Sequence, residues 1–144
     1  MRRGLAALGL LALLLALAGW TVTGPLRNRV AWAVQAGTPD IAAMIPMPDG
    51  VRLATDVYLP GSTPAAAVLL RLPYGKRDYG EVRFWVQALR QRGFAVVAQD
   101  MRGRGASEGV FAPYPDEGSD GAATLDWIAA QGWSNGRAGT VGCS

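Results

Sequence analysis

Two uninterrupted apolar runs, "AAAVLLRL" from Ala65 and "FAVVAQD" from Phe94, constrain this chain more than any other feature. A strand with one face in water alternates apolar and polar residues, whereas a run without alternation fits a strand covered on both faces, as in parallel sheets. Between the two runs, "EVRFWVQALRQRG" sets Val82, Trp85, Val86 and Leu89 at i, i+3, i+4 and i+7 and ends on Gly93, which predicts an amphipathic helix with a glycine stop. "DEGSDGAATLDWIAAQGW" repeats the helical stripe through Leu125, Ile128 and Ala129, and "RAGTVGCS" supplies a third parallel strand. Ahead of the first run, Val51, Leu53, Thr55, Val57 and Leu59 alternate with Arg52, Ala54, Asp56 and Tyr58, the period of a half-buried strand. Pro48-Asp49-Gly50 is the turn that pairs it with Met44 to Met47 as a hairpin. The expected fold class is α/β: an antiparallel hairpin, then parallel strands joined by right-handed helical crossovers, doubly wound.

The first residues, "MRRGLAALGLLALLLALAGWTVTG", read as a targeting or membrane segment, residues 1–24. The uncharged stretch from Gly4 to Val22 would span about 28 Å as a helix, close to the hydrocarbon thickness of a bilayer. That length fits an anchor, while Ala16-Leu17-Ala18 fits signal-peptide cleavage; either reading exports the rest. Residues 25–43 carry Pro25, Gly37 and Pro39 without a sustained period and read as a linker, with one short helix around Val30 to Gln35. The domain proper is expected over 44–144.

Composition excludes several function classes. The formal charge of +3 falls to about +1 without Arg2 and Arg3, too little for an electrostatic nucleic-acid partner. One cysteine, Cys143, forms no internal disulfide, and without histidine or cysteine neighbours it makes no metal site. There is no histidine, so a Ser-His-Asp triad cannot be assembled from these residues alone.

"GTVGCS" places Gly142, Cys143 and Ser144 after the third parallel strand. Gly-x-Ser in that position matches the first half of a nucleophile elbow, where a serine sits on a tight strand-to-helix turn. The tripeptide by itself fits a helix N-cap better than a nucleophile. The glycines of "QDMRGRGASEG", at 103, 105 and 109, are spaced one residue too long for a dinucleotide fingerprint, and no helix pattern follows them.

Taken in order, "MPDGVRLATDVYLP", "LRLPYGKRD", "QALRQRGFAVVAQDMRGRGASEGVF" and "DEGSDGAATLDWIAAQGWSNGRAGTVGCS" resemble the cocaine-esterase and Xaa-Pro dipeptidyl-peptidase-like α/β-hydrolases over roughly residues 44–144. The resemblance implies the N-terminal part of an α/β-hydrolase fold. It implies Ser144 as nucleophile and Tyr74, in the Arg-x-Pro-Tyr loop, as hydroxyl donor to the oxyanion. A neutral phenol suits that task, because it donates to a developing alkoxide without becoming charged.

The same resemblance makes Asp100, Arg102 and Ser107 loop-organising partners, with an Asp100–Arg102 or Asp100–Arg104 contact open. Asp116, Glu117 and Asp120 are expected to favour the positive end of the following helix. Cys143 reads as a packed elbow residue, and Arg83, Arg90 and Arg92 as a solvated helix face. The expected activity is cleavage of a small-molecule ester or amide, or of a peptide, through an acyl-enzyme. No cofactor or metal is implied. The family's aspartate and histidine come from strands after the elbow, so a chain ending on Ser144 is expected to be inactive alone and poorly folded, its third parallel strand an open edge. The alternative is a non-catalytic, membrane-anchored binding module with a hydrolase-like sheet.

Overall fold

A computed structural model describes residues 37–142. The expected N-terminal hydrophobic helix over 1–24, the short helix near Val30, Cys143 and Ser144 lie outside the described residues. Among the described residues, no helix is long and apolar enough to cross a membrane.

The elements are β1 (Ile41–Pro46), β2 (Arg52–Tyr58), β3 (Ala65–Leu72), α1 (Gly80–Arg90), β4 (Ala95–Asp100), α2 (Glu117–Ala129) and β5 (Ser134–Thr140). The strands form one mixed sheet in the order β1-β2-β4-β3-β5. The hairpin is present: β1 and β2 are antiparallel from Ile41 opposite Val57 to Pro46 opposite Arg52. Asp49 Oδ1 accepts the Val51 N–H at 3.1 Å and Gly50 takes φ +88°, so the Asp-Gly pair makes the turn as its chemistry dictates. β3 runs parallel to β4, with Leu72 opposite Asp100, and parallel to β5, with Leu69 opposite Thr140.

The strand β2 differs from the half-buried expectation. Leu53 through Tyr58 are all buried. On the face expected to be solvated, Tyr58 lies beneath α1 and Asp56 pairs with Arg77 of the loop before that helix. Tyr58 packs with Val82 and Val86 of α1. The other side of the sheet is covered by α2 and the turn after it, where Val57, Leu69 and Val97 meet Ile128 and Trp133.

Along α1 the expected stripe holds, with Val82 and Val86 buried and Trp85 and Leu89 packed against the same cluster. The helix stops at Gly93, whose φ of +83° allows its N–H to reach the Arg90 carbonyl and the Phe94 N–H to reach that of Leu89. Arg90 is not part of a solvated face. Its Nε donates to the Leu59 carbonyl at 2.7 Å, and its Nη2 lies 3.4 Å from Asp40.

Along α2 the buried residues are Asp120, Thr124 and Ile128, while Ala129 is exposed. The expected stripe through Leu125, Ile128 and Ala129 is therefore rotated toward polar residues, which partners on the sheet make possible. Gln99 Nε2 donates to Thr124 Oγ1 at 3.0 Å and to Thr55 Oγ1 at 3.1 Å, and its Oε1 accepts from Arg71 Nε at 2.9 Å. A buried amide with both ends satisfied avoids the desolvation penalty of an unpaired polar group.

Candidate active site

β3 and β4 end side by side, so the loops after Leu72 and Asp100 open at the same edge of the sheet. Ligands bind at that carboxyl edge in open α/β sheets. Tyr74 stands on the first of these loops, 62% exposed, with its ring centroid 5.2 Å from that of Tyr79. Next to β3, the parallel strand β5 runs toward the same edge, and the Val141 N–H donates to the Leu69 carbonyl at 3.0 Å. Ser144, the expected nucleophile, lies outside the described residues.

The Tyr74 loop is tied down by ions. Lys76 and Asp100 are both buried and pair at 2.9 Å, and the Lys76 backbone N–H donates to the same carboxylate at 2.6 Å. Arg77 holds Asp56 with Nε 2.7 Å and Nη2 3.0 Å from the carboxylate oxygens. The hydrogen bond that Arg77 donates to Asp56 raises the Arg77 pKa. Burial, followed by the Asp56 charge, pushes the Tyr58 phenol well above its usual range. Next to the loop lies a cleft of about 480 Å³ whose wall includes Met44, Asp56, Lys76, Arg77 and Asp100 but not Tyr74.

On the second loop, Ser107 accepts the Ala54 N–H at 2.8 Å and donates to the Asp100 carbonyl at 2.7 Å. Asp100 pairs with neither Arg102 nor Arg104, the two contacts left open by the sequence. Its carboxylate is taken by Lys76 and by the Ala106 N–H at 3.0 Å. Arg102 turns instead to Asp120 and Asp49, and those hydrogen bonds, Asp120 first, raise its pKa. Arg104 lies 3.8 Å over the Phe111 ring. Asp120 is fully buried and Glu117 pairs with Arg71 at 2.8 Å, so neither serves only the helix dipole. Among the described residues, no three side chains are grouped to hold a metal ion.

Residues 49–144 match the profile of the X-Pro dipeptidyl-peptidase (S15) family. The chain belongs to that family. Its similarity to cocaine esterase of Rhodococcus is 44% identity over 106 residues, 70% of this chain and 18% of that enzyme. An α-amino acid ester hydrolase of known structure superposes with a TM-score of 0.62 at 31% identity, over 71% of this chain and 20% of that one. A CocE/NonD family hydrolase of Staphylococcus aureus gives a TM-score of 0.58 at 26% identity, over 69% and 22%. The chain thus spans about a fifth of the length of these relatives. All three are hydrolases by name, and the sheet with its flanking helices is the part of the α/β-hydrolase fold that this S15-family chain shares with them.

Sequence reasoning missed Lys76, Asp56 and Arg71 as organisers of this edge. A signal for two of them was present. Asp56 and Arg71 are charged residues inside strands otherwise fit for burial, and a buried charge requires a partner.

Proposed function

We propose that these residues are the N-terminal part of a serine hydrolase that cleaves an ester or amide bond through an acyl-enzyme. Ser144 is the nucleophile and the Tyr74 hydroxyl donates to the oxyanion. One observation carries the reading: in a chain of the S15 family, an exposed tyrosine stands on the loop after β3, at the edge toward which β5 runs. A donor at that place lowers the barrier by stabilising charge that develops only in the transition state. The base that activates the serine is not among these residues, since none is histidine. Substrates are small esters, amides or short peptides, in line with the names of the relatives. Export, with residues 1–24 as anchor or signal, belongs to the same reading.

The test uses the product of the reading frame that contains these residues. Incubation with a fluorophosphonate, followed by peptide mass spectrometry, is expected to find the adduct on Ser144 and none in Ser144→Ala. An adduct elsewhere, or undiminished ester hydrolysis by Ser144→Ala, overturns the proposal.

A further inference from the structure

We infer that Lys76 and Asp100 are positioning residues for the Tyr74 hydroxyl, an inference that rests on the oxyanion role proposed for Tyr74. The backbone on both sides of Tyr74 is fastened to the end of β4. Two residues before it, the Leu72 carbonyl accepts the Met101 N–H at 3.0 Å. Two residues after it, the Lys76 N–H donates to Asp100 Oδ1 at 2.6 Å. The span from Leu72 to Lys76 is therefore held at both ends by the consecutive residues Asp100 and Met101.

The Lys76 side chain closes the same clamp, with Nζ 2.9 Å from Asp100 Oδ2 and side-chain exposures of 6% and 3% for the two partners. Asp100 has little freedom to follow a moving loop. Its Oδ2 also accepts the Ala106 N–H, and a Cβ added at Gly105, where φ is +54°, would overlap the carboxylate. Within the clamped span, Gly75 turns at φ +89° and its carbonyl accepts the N–H groups of Asp78 and Tyr79, both at 3.1 Å. That turn brings the Tyr79 ring against Tyr74.

A buried ion pair is weak evidence of stabilisation, since an apolar pair of similar size often does as well. What this pair supplies is a fixed location for the backbone that carries an exposed phenol. Location matters because an oxyanion donor acts over about 2.7–3.1 Å, and a displacement of about 1 Å can cost about 10²-fold in rate.

The experiment is a double-mutant cycle on kcat in the reading-frame product, with active sites counted by fluorophosphonate titration so that only folded enzyme enters the rate. Lys76→Met is expected to lower kcat about 10–100-fold with KM little changed. In a Tyr74→Phe background it is expected to lower kcat less than about 3-fold, because the hydroxyl it positions is gone. Equal losses in the two backgrounds overturn the positioning role while leaving Tyr74 as donor. No loss from Tyr74→Phe alone overturns the donor role and this inference with it. Should Lys76→Met yield no titratable enzyme, Lys76→Gln takes its place in the cycle with the same outcomes.

Discussion

Arg102 and Asp120, eighteen residues apart in the chain, form a bidentate ion pair with Nη2 2.7 Å from Oδ1 and Nε 3.1 Å from Oδ2. The pair joins the loop after β4 to the first turns of α2. Arg71 Nη2 lies 3.6 Å from the same carboxylate, so one buried aspartate answers two guanidinium groups. Asp120→Ala should destabilise the protein by about 3–5 kcal/mol, the usual cost of stranding a buried charge. Asp49→Ala, which removes one of two exposed partners of Arg102, should cost far less. Urea midpoints of the two variants check the contrast, and equal midpoints would contradict it.

Tyr74→Phe should reduce kcat about 10²–10³-fold in the reading-frame product and leave KM nearly unchanged, as expected for a donor used mainly in the transition state. Because the ring is exposed and only the hydroxyl is deleted, the melting temperature should not move. A rise in KM with kcat intact would make Tyr74 a substrate contact rather than an oxyanion donor.

Acid should weaken the contacts that Asp49 and Glu108 make with Arg102 and Arg52. The Arg102 guanidinium, then the Val51 N–H, hold the Asp49 carboxyl below its usual range, and Arg52 does the same for Glu108. A depressed folded-state pKa gives stability that is present above the unfolded value, about 4, and lost as pH falls through the folded value. Melting temperatures should therefore drop below about pH 4, and less steeply in Asp49→Asn. An identical acid limb in that variant would remove Asp49 from the account.

The 144-residue chain, expressed as such, should show no esterase turnover above background, since it contains no histidine and loss of that base costs on the order of 10⁶ in kcat. It should also self-associate. β5 lies at the edge of the sheet formed by the described residues, and six of its seven residues are exposed. Unpaired edge groups are a template for pairing with another chain. Light scattering that finds a monodisperse monomer, with a sharp two-state melt, would contradict this.

The sheet was legible wherever burial is apolar on both faces. β3, β4 and α1 follow directly from "AAAVLLRL", "FAVVAQD" and the Val82 stripe. Legibility failed where a polar residue is buried against a partner distant in the chain. Asp56 made β2 look half-solvated because its partner, Arg77, is twenty-one residues away. Asp120 and Thr124 displaced Ala129 from the buried face of α2 because Arg102 and Gln99 receive them. At the site, the loop carrying Tyr74 was identified from its motif, but periodicity holds no information about Lys76 reaching Asp100. The loop-organising role of Arg102 and Ser107 was legible as a role and not as a set of contacts.

Glycine substitutions separate backbone requirement from mere tolerance in these loops. Gly103 adopts φ +66°, and a Cβ there would overlap the Phe111 nitrogen and the Val110 carbonyl carbon, which are backbone atoms with little room to yield. Gly61 has open space around the position of a Cβ and no positive φ. Gly103→Ala should cost more than about 1 kcal/mol, whereas Gly61→Ala should be neutral or stabilise by a few tenths through the unfolded state. Because Gly103 N–H also donates to the Glu108 carbonyl at 2.8 Å, the strain falls on the loop that carries Ser107 and abuts Asp100. Hydrogen exchange in Gly103→Ala should accordingly quicken at Ala54 and Ala106, whose amides bond to Ser107 and Asp100, before it quickens in β4. Uniform quickening across the sheet would mean that the loop and the core open together and that this edge has no separate stability.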